Sequence, residues 1–210
     1  MARPRAFKDD EVLDAAIACF WRRGLDGTSI RDLATQMGIS GPSLYNAFGD
    51  KRTLFVQSLE RYAACYMRER IERLERQESP KFAIQLFFQE VISRSITDTD
   101  HRGCLIINSA LEVAPHDRAL RKVVVGYLGE IECFFARCLE RAKAAREVPR
   151  SIEIADAARL FLGVLIGLRV AARAKPDRLL LEGMVRPALA LLDHPKSPRK
   201  VSQPKGASQC

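Results

Sequence analysis

No apolar run in this chain of 210 residues is long enough to cross a bilayer: the longest, Leu160 to Leu168, ends at Arg159 and Arg169. A membrane helix needs about 20 residues. The N-terminus carries basic residues but no apolar stretch or cleavage pattern of a secretory signal, so a cytoplasmic location without membrane contact is expected. Polar/apolar alternation is also missing. The single Asp26-Gly27 turn signal is flanked by helical periodicity, which leaves no strand candidates. Histidine is scarce, at three residues, and no CxxC or HExxH spacing occurs, so no metal and no cofactor is expected. The six cysteines (Cys19, Cys65, Cys104, Cys133, Cys138, Cys210) sit mostly within apolar helical patterns and read as free thiols rather than a disulfide scaffold.

What is present is charge and helical periodicity. The formal net charge of +8 invites a nucleic-acid or anionic-membrane reading, yet residues 1–60 carry equal numbers of acidic and basic side chains. The basic excess lies entirely beyond residue 100. The class is all-α, with about nine helices. Expected spans are Lys8 to Arg23, Ser29 to Met37, Ser40 to Phe48, Lys51 to Gln77, Pro80 to Thr97, Cys104 to Val113, Pro115 to Arg146, Ser151 to Ala174 and Pro176 to Leu192. Pro187 is expected to kink or break the last near Gly183. Domain boundaries follow: 1–52, a larger unit at 53–192, and a flexible basic tail at 193–210, rich in proline and poor in apolar residues.

The most specific segment is TSIRDLATQMGISGPSLYNAF, residues 28–48. Ser29 and Asp32 have the spacing of a capping box, Gly38 supplies the left-handed residue that ends the first short helix, and Ser40 caps the second. Ile30, Leu33 and Ala34 face inward, Ile39 plugs the turn, and Leu44 and Phe48 anchor the second helix. The result is a helix-turn-helix. Gly41, Pro42, Ser43, Tyr45, Asn46 and Ala47 are left outward. Asn46 can pair with an adenine edge and Ser43 with a base or phosphate, while Ser40, Gly41 and Pro42 bring a helix N-terminus near the backbone. Tyr45, Lys51 and Thr28 offer donors to phosphate.

Residues 8 to about 60 resemble the N-terminal DNA-binding domain of TetR-family transcriptional regulators, through W-R-R-G, G-T-S-I-R-D-L-A, M-G-I-S-G-P-S-L-Y-N-A-F and G-D-K-R-T-L-F. The resemblance implies phosphate contacts at Tyr45 and Lys51 and a recognition helix at Gly41 through Phe48. The pair Asn46-Ala47 stands where many members carry a bulkier, often histidine-containing pair. It implies further a C-terminal domain that dimerises and holds a small-molecule effector. Ala157 to Ala172 and Leu179 to Leu192, with Gly163 and Gly167 one turn apart, suit a four-helix homodimer interface. Phe87, Phe88, Cys104, Asn108, Tyr127 and Phe134 are the expected effector-pocket residues, with Ser109 and Glu112 as further polar candidates. The expected function is a repressor that binds an inverted-repeat operator in double-stranded DNA and is released by its effector.

Cys104 carries the alternative. It follows Gly103 beside Arg102 at an expected helix N-terminus, where a thiolate is favoured, and the stretch resembles G-C-L segments of electrophile- and hypochlorite-responsive TetR-family repressors. Readings of another class are a helical adaptor or a cysteine-based enzyme pairing Cys104 with His101 or His116.

Overall fold

The computed structural model describes residues 9–194. Among these the chain is all-α, without a strand: α1 (Asp9–Arg23), α2 (Ile30–Met37), α3 (Gly41–Phe48), α4 (Lys51–Tyr62), α5 (Glu69–Glu75), α6 (Pro80–Thr97), α7 (Leu105–Glu112), α8 (Arg118–Ala144), α9 (Ile154–Ala174) and α10 (Arg178–Leu189). A π-helical stretch, Ala63–Arg68, joins α4 to α5 into one rod. Counted that way, the described residues hold the expected nine helical rods, followed by a short 3-10 turn, Ala190–Leu192. None is long and apolar enough to cross a membrane.

The headpiece forms because its short helices share one core. α1 turns Val12, Ala16, Ile17 and Phe20 inward, and Phe20 meets Phe55 of α4 edge to face at 5.0 Å. Gly24, at φ 71°, ends α1 in the left-handed region. A side chain there would also strike the carboxylate of Glu112, the last residue of α7, so head and body approach closely at this glycine. Arg61 grips α1 from α4, forking onto Asp14 at 2.6 and 2.7 Å and reaching Asp10 at 2.7 Å.

The body is a bundle of α6, α8, α9 and α10 around five rings that meet stacked, tilted or edge-on. Phe87, Phe88, Phe134, Phe135 and Phe161 have neighbouring centroids 5.1 to 5.9 Å apart. Among the described residues, ion pairs tie head to body at Arg52, which binds Asp117 with two bonds of 2.6 and 2.7 Å, and at Arg22, which meets Asp100 at 3.2 Å. Arg52 holds the Asp117 carboxyl well below its ordinary range.

Several boundaries differ from expectation for local reasons. α8 starts at Arg118 rather than Pro115, because the Asp117 side chain accepts from the Ala119 and Leu120 N–H groups at 2.9 Å and caps the helix there. α9 starts at Ile154 rather than Ser151. α10 does not break near Gly183; it runs through Pro187 and yields to the 3-10 turn only after Leu189. The long helix from Lys51 is interrupted by its π turn. In an unbroken helix, side chains four apart drift by about 40° per step. The wider turn reduces that drift and keeps Tyr62, Tyr66 and Arg70 on one wall. Of the expected tail, residues 195–210, including Cys210, lie outside the described residues; Asp193 is paired with Lys81 at 2.8 Å.

Candidate nucleic-acid interface

The turn between α2 and α3 is built as its residue types require. The Ser29 hydroxyl oxygen accepts from Asp32 N–H at 3.1 Å and the Asp32 carboxylate accepts from Ser29 N–H at 3.1 Å, closing the capping box. The Ser29 hydroxyl, donating to the Asp32 carboxylate at 2.6 Å, together with the Ser29 N–H and Arg23 at 2.9 Å, brings the Asp32 carboxyl down to about 2. Gly38 takes φ 66°, and the Ile39 N–H returns to Ala34 O at 3.1 Å. Ser40 then caps α3 by accepting from Ser43 N–H at 3.2 Å.

Leu33, Met37, Leu44 and Phe48 are buried, with Ile30, Ala34 and Ile39 half-buried around them. Pro42, Tyr45 and Asn46 are exposed, and Tyr45 shows 52% of its surface, which is unusual for an aromatic side chain with no core role. Ala47, expected outward, is half-buried and packs against the core. The anion-attracting end of α3 is smaller than expected. Pro42 has no N–H and that of Ser43 is taken by Ser40, which leaves that of Gly41. The Ser43 hydroxyl is itself bonded to that of Ser40 at 2.8 Å.

Two expected phosphate contacts look different in three dimensions. Thr28 is fully buried, and its hydroxyl donates to Gly24 O at 2.7 Å, so it staples the end of α1 and cannot reach a phosphate. Lys51 donates from Nζ to Leu25 O at 2.9 Å and Thr28 O at 3.1 Å. It thereby clamps the start of α4 onto the α1–α2 connection with two of its three donors, and one remains. The headpiece acids are similarly engaged, Asp10 and Asp14 by Arg61 and Asp32 by Arg23.

A cavity of about 300 Å³ lies where the headpiece meets the body, walled by α1, the α4–α5 rod, α6, the 98–104 connection, α7, α8 and α9. Of the expected effector residues it gathers Phe87 and Cys104. Phe88 and Phe134 are sealed in the ring cluster. Asn108 is buried and spends its amide N–H on Arg102 O at 2.8 Å, and Tyr127 donates its hydroxyl to Glu60 at 2.6 Å. Ser109 is buried and bonded to Leu105 O at 2.7 Å, and Glu112 pairs with Arg173 at 3.3 Å. Cys104 is the cap residue of α7, half-buried, and its sulfur accepts from the Tyr62 hydroxyl at 3.7 Å. Burial raises the Tyr62 phenol well above its ordinary value, so that hydroxyl stays a donor. The cavity residues that sequence patterning did not reveal are Trp21, Arg70, Arg94, Arg102 and Arg169. They come from five separate segments, and no spacing rule joins them.

Comparison with known proteins agrees with this geometry. Residues 12–57 match the family model "Bacterial regulatory proteins, tetR family", and residues 83–186 match a "Tetracyclin repressor-like, C-terminal domain". The chain is 34% identical over 194 residues to the HTH-type transcriptional regulator YezE of Bacillus subtilis, covering 92% of this chain and all of the relative. It is 26% identical over 172 residues to the HTH-type transcriptional repressor ComR of Escherichia coli, covering 81% and 82% of the two chains. Among solved structures it resembles the TetR family regulator CifR, a cysteine mutant complexed with 26-bp operator DNA, with TM-score 0.80 and 33% identity over 89% of this chain and 98% of that one.

Proposed function

The chain belongs to the TetR family of bacterial transcriptional regulators, and from that premise we propose that it is a repressor which binds an inverted-repeat operator as a homodimer and leaves it when a small molecule fills the body cavity. The observation that carries the DNA-binding face is α3 itself: Leu44 and Phe48 lock it down while Tyr45 and Asn46 stand free on its outer side. We assign Asn46 to base reading, Tyr45 to phosphate, the third Lys51 donor to phosphate, and Gly41, Pro42 and Ser43 to close backbone approach. The proposed division is a headpiece to residue 52 and a body from 53 to 192, sharing the long rod.

Binding preferences test the roles separately. Tyr45→Phe keeps the ring and loses the hydroxyl, so affinity is expected to fall for all duplexes alike in fluorescence anisotropy. Asn46→Ala is expected to alter base preference, at about 1–3 kcal/mol of lost discrimination at one position. Equal binding of the unaltered protein to palindromic and scrambled duplexes would overturn the reading.

The dimer is supported by an apolar face that the monomer leaves open. Leu160 and Val170 on α9 and Leu179 and Leu180 on α10 are exposed, and the space above Gly163 is empty. Two recognition helices related by a two-fold axis are what a palindromic site requires. Gly163→Arg, which sets a charge in the middle of this face, is expected to convert the protein to monomers in sedimentation and to weaken operator binding at least tenfold. A variant that remains dimeric with unchanged DNA affinity excludes α9 from the interface.

A further inference from the structure

Two buried N–H groups on the wall of the cavity have no acceptor. They are Nε of Arg70 and Nε1 of Trp21, and among the described residues they alone are buried side-chain polar atoms without a hydrogen-bond partner. Buried donors are satisfied in most folded proteins, so a pair of them on one cavity points to a missing acceptor. The charges around the same space agree. Four arginines (Arg70, Arg94, Arg102 and Arg169) face a single carboxylate, Asp98, which Arg102 already takes at 3.0 Å. Arg169 spends its donors on Ser95 Oγ at 2.8 Å and on Gly103 O. Arg70 is the buried member of the four, and its ion pair is loose. Its side chain is 13% exposed, and its nearest carboxylate, Glu90, lies 3.6 Å away and is held by Arg73 at 2.7 Å. The rest of the wall is apolar or aromatic, with Tyr62, Tyr66, Met67, Phe87, Val91 and Leu165 prominent.

We propose that the cavity recognises a small monoanion with an apolar or aromatic body, a carboxylate in the simplest case, seated with its charge on Arg70 and a second acceptor toward the Trp21 indole. This rests on the ligand-released repressor reading above and names the chemical class of its effector. The size is modest: at the roughly 30 Å³ that a water molecule occupies in the liquid, the space corresponds to about ten non-hydrogen atoms. The surplus of arginine concentrates anions at the entrance. Burial, with Arg94 nearby, pulls the Arg70 guanidinium down to about 10, still cationic near neutrality, and an anion relieves that penalty.

Trp21 also gives the site its route to DNA. It is a headpiece residue, on α1, yet it stacks edge-on against Tyr62 at 4.9 Å and Tyr66 at 5.7 Å, and the Arg102 guanidinium lies 4.8 Å from its ring centre. A ligand that repositions these groups moves the wall formed by α1, and α1 carries the helix-turn-helix with it.

Trp21 is the only tryptophan of the chain, so its emission reports the site directly. The probes are benzoate, phenylacetate and hexanoate, each beside its neutral amide, titrated into the full-length protein. At least one carboxylate is expected to shift the emission saturably, with its amide at least tenfold weaker, and Arg70→Leu is expected to cost that carboxylate at least tenfold. Independently of any probe, Arg70→Leu removes a buried charge whose carboxylate is shared with Arg73 and lies beyond hydrogen-bonding distance, and is expected to raise Tm by about 2–4 °C. Amides that match their acids, a carboxylate affinity indifferent to Arg70→Leu, a lowered Tm in that variant, or silence from all three carboxylates would each overturn the assignment. Operator titrations of the same samples separate the two ideas: intact selectivity for an inverted repeat confines the failure to the ligand class, and its absence removes the regulator reading itself.

Discussion

Leu44→Ala is expected to abolish operator binding without touching any group that faces DNA. Leu44 has no exposed surface and is one of two buried residues that hold α3 to the rest of the headpiece. Removing its side-chain carbons leaves a cavity under an eight-residue helix that has no independent stability, and such truncations cost about 2–5 kcal/mol. The loss falls on the headpiece, whose core is small, so it is expected to unfold at lower denaturant than the body. A biphasic urea transition followed by circular dichroism, together with loss of specific anisotropy change on DNA, is the expected result. A cost below about 1 kcal/mol with operator binding retained would show that Phe48 and the caps suffice to hold α3.

Phe135→Ala is the larger perturbation of the body. Phe135 is fully buried and touches four other rings, stacking on Phe88 with an interplanar angle of 7° and meeting Phe87 edge-on at 5.1 Å. Deleting a phenyl group from such a site typically costs about 3–5 kcal/mol, because α6, α8 and α9 cannot all close on the void at once. For a protein of this length that corresponds to a Tm lower by about 6–20 °C in scanning calorimetry. The DNA face is far from the deleted ring in the architecture, so operator affinity at temperatures well below the transition is expected to hold. A change in operator affinity at full folding would mean that the ring cluster itself transmits to the headpiece.

The headpiece was legible because its information is local. Ser29, Asp32, Gly38 and Ser40 act on backbone groups within a few residues of themselves, so their spacing in the chain is their spacing in space. The exposure of Pro42, Tyr45 and Asn46 followed from the helical period alone, whereas Gly41, Ser43 and Ala47, also expected outward, are half-buried. Thr28 and Lys51 turn toward the protein for a shared reason. Polar side chains near the start of a helix can turn outward to a phosphate or inward to carbonyls, and the choice depends on whether a carbonyl is brought within reach. Here the end of α1 and its following turn present Gly24 O, Leu25 O and Thr28 O, and both side chains turn toward them.

The cavity shows the opposite case. Aromatic spacing along α6 and α8 indicated apolar mass, but Phe88 and Phe134 entered the sealed cluster while Phe87, about 100° round α6 from Phe88, also reached the cavity wall. The rotation that separates them is set by how α6, α8 and α9 pack. Arginine offers no periodic signal either: its long stem lets it end in solvent, on a carboxylate or inside a site from the same sequence position. Arg61, Arg68 and Arg70 lie along one rod, yet Arg61 pairs with two aspartates, Arg68 with two glutamates, and Arg70 with nothing at hydrogen-bonding distance through its Nε.

The amino-acid order alone determined an all-helical chain, a helix-turn-helix between residues 28 and 48, the two residues that stand free on its outer face, and a balance of charge over residues 1–60. Those properties depend on backbone capping, helical period and counting, which operate over a turn or two. Tertiary structure alone decided that Trp21 of the headpiece and Arg70 of the long rod share one cavity, that Thr28 is a staple, and that Lys51 is a clamp. These depend on groups far apart in the chain meeting at distances of a few ångströms, where burial converts an ordinary cation or indole N–H into a donor in need of an acceptor.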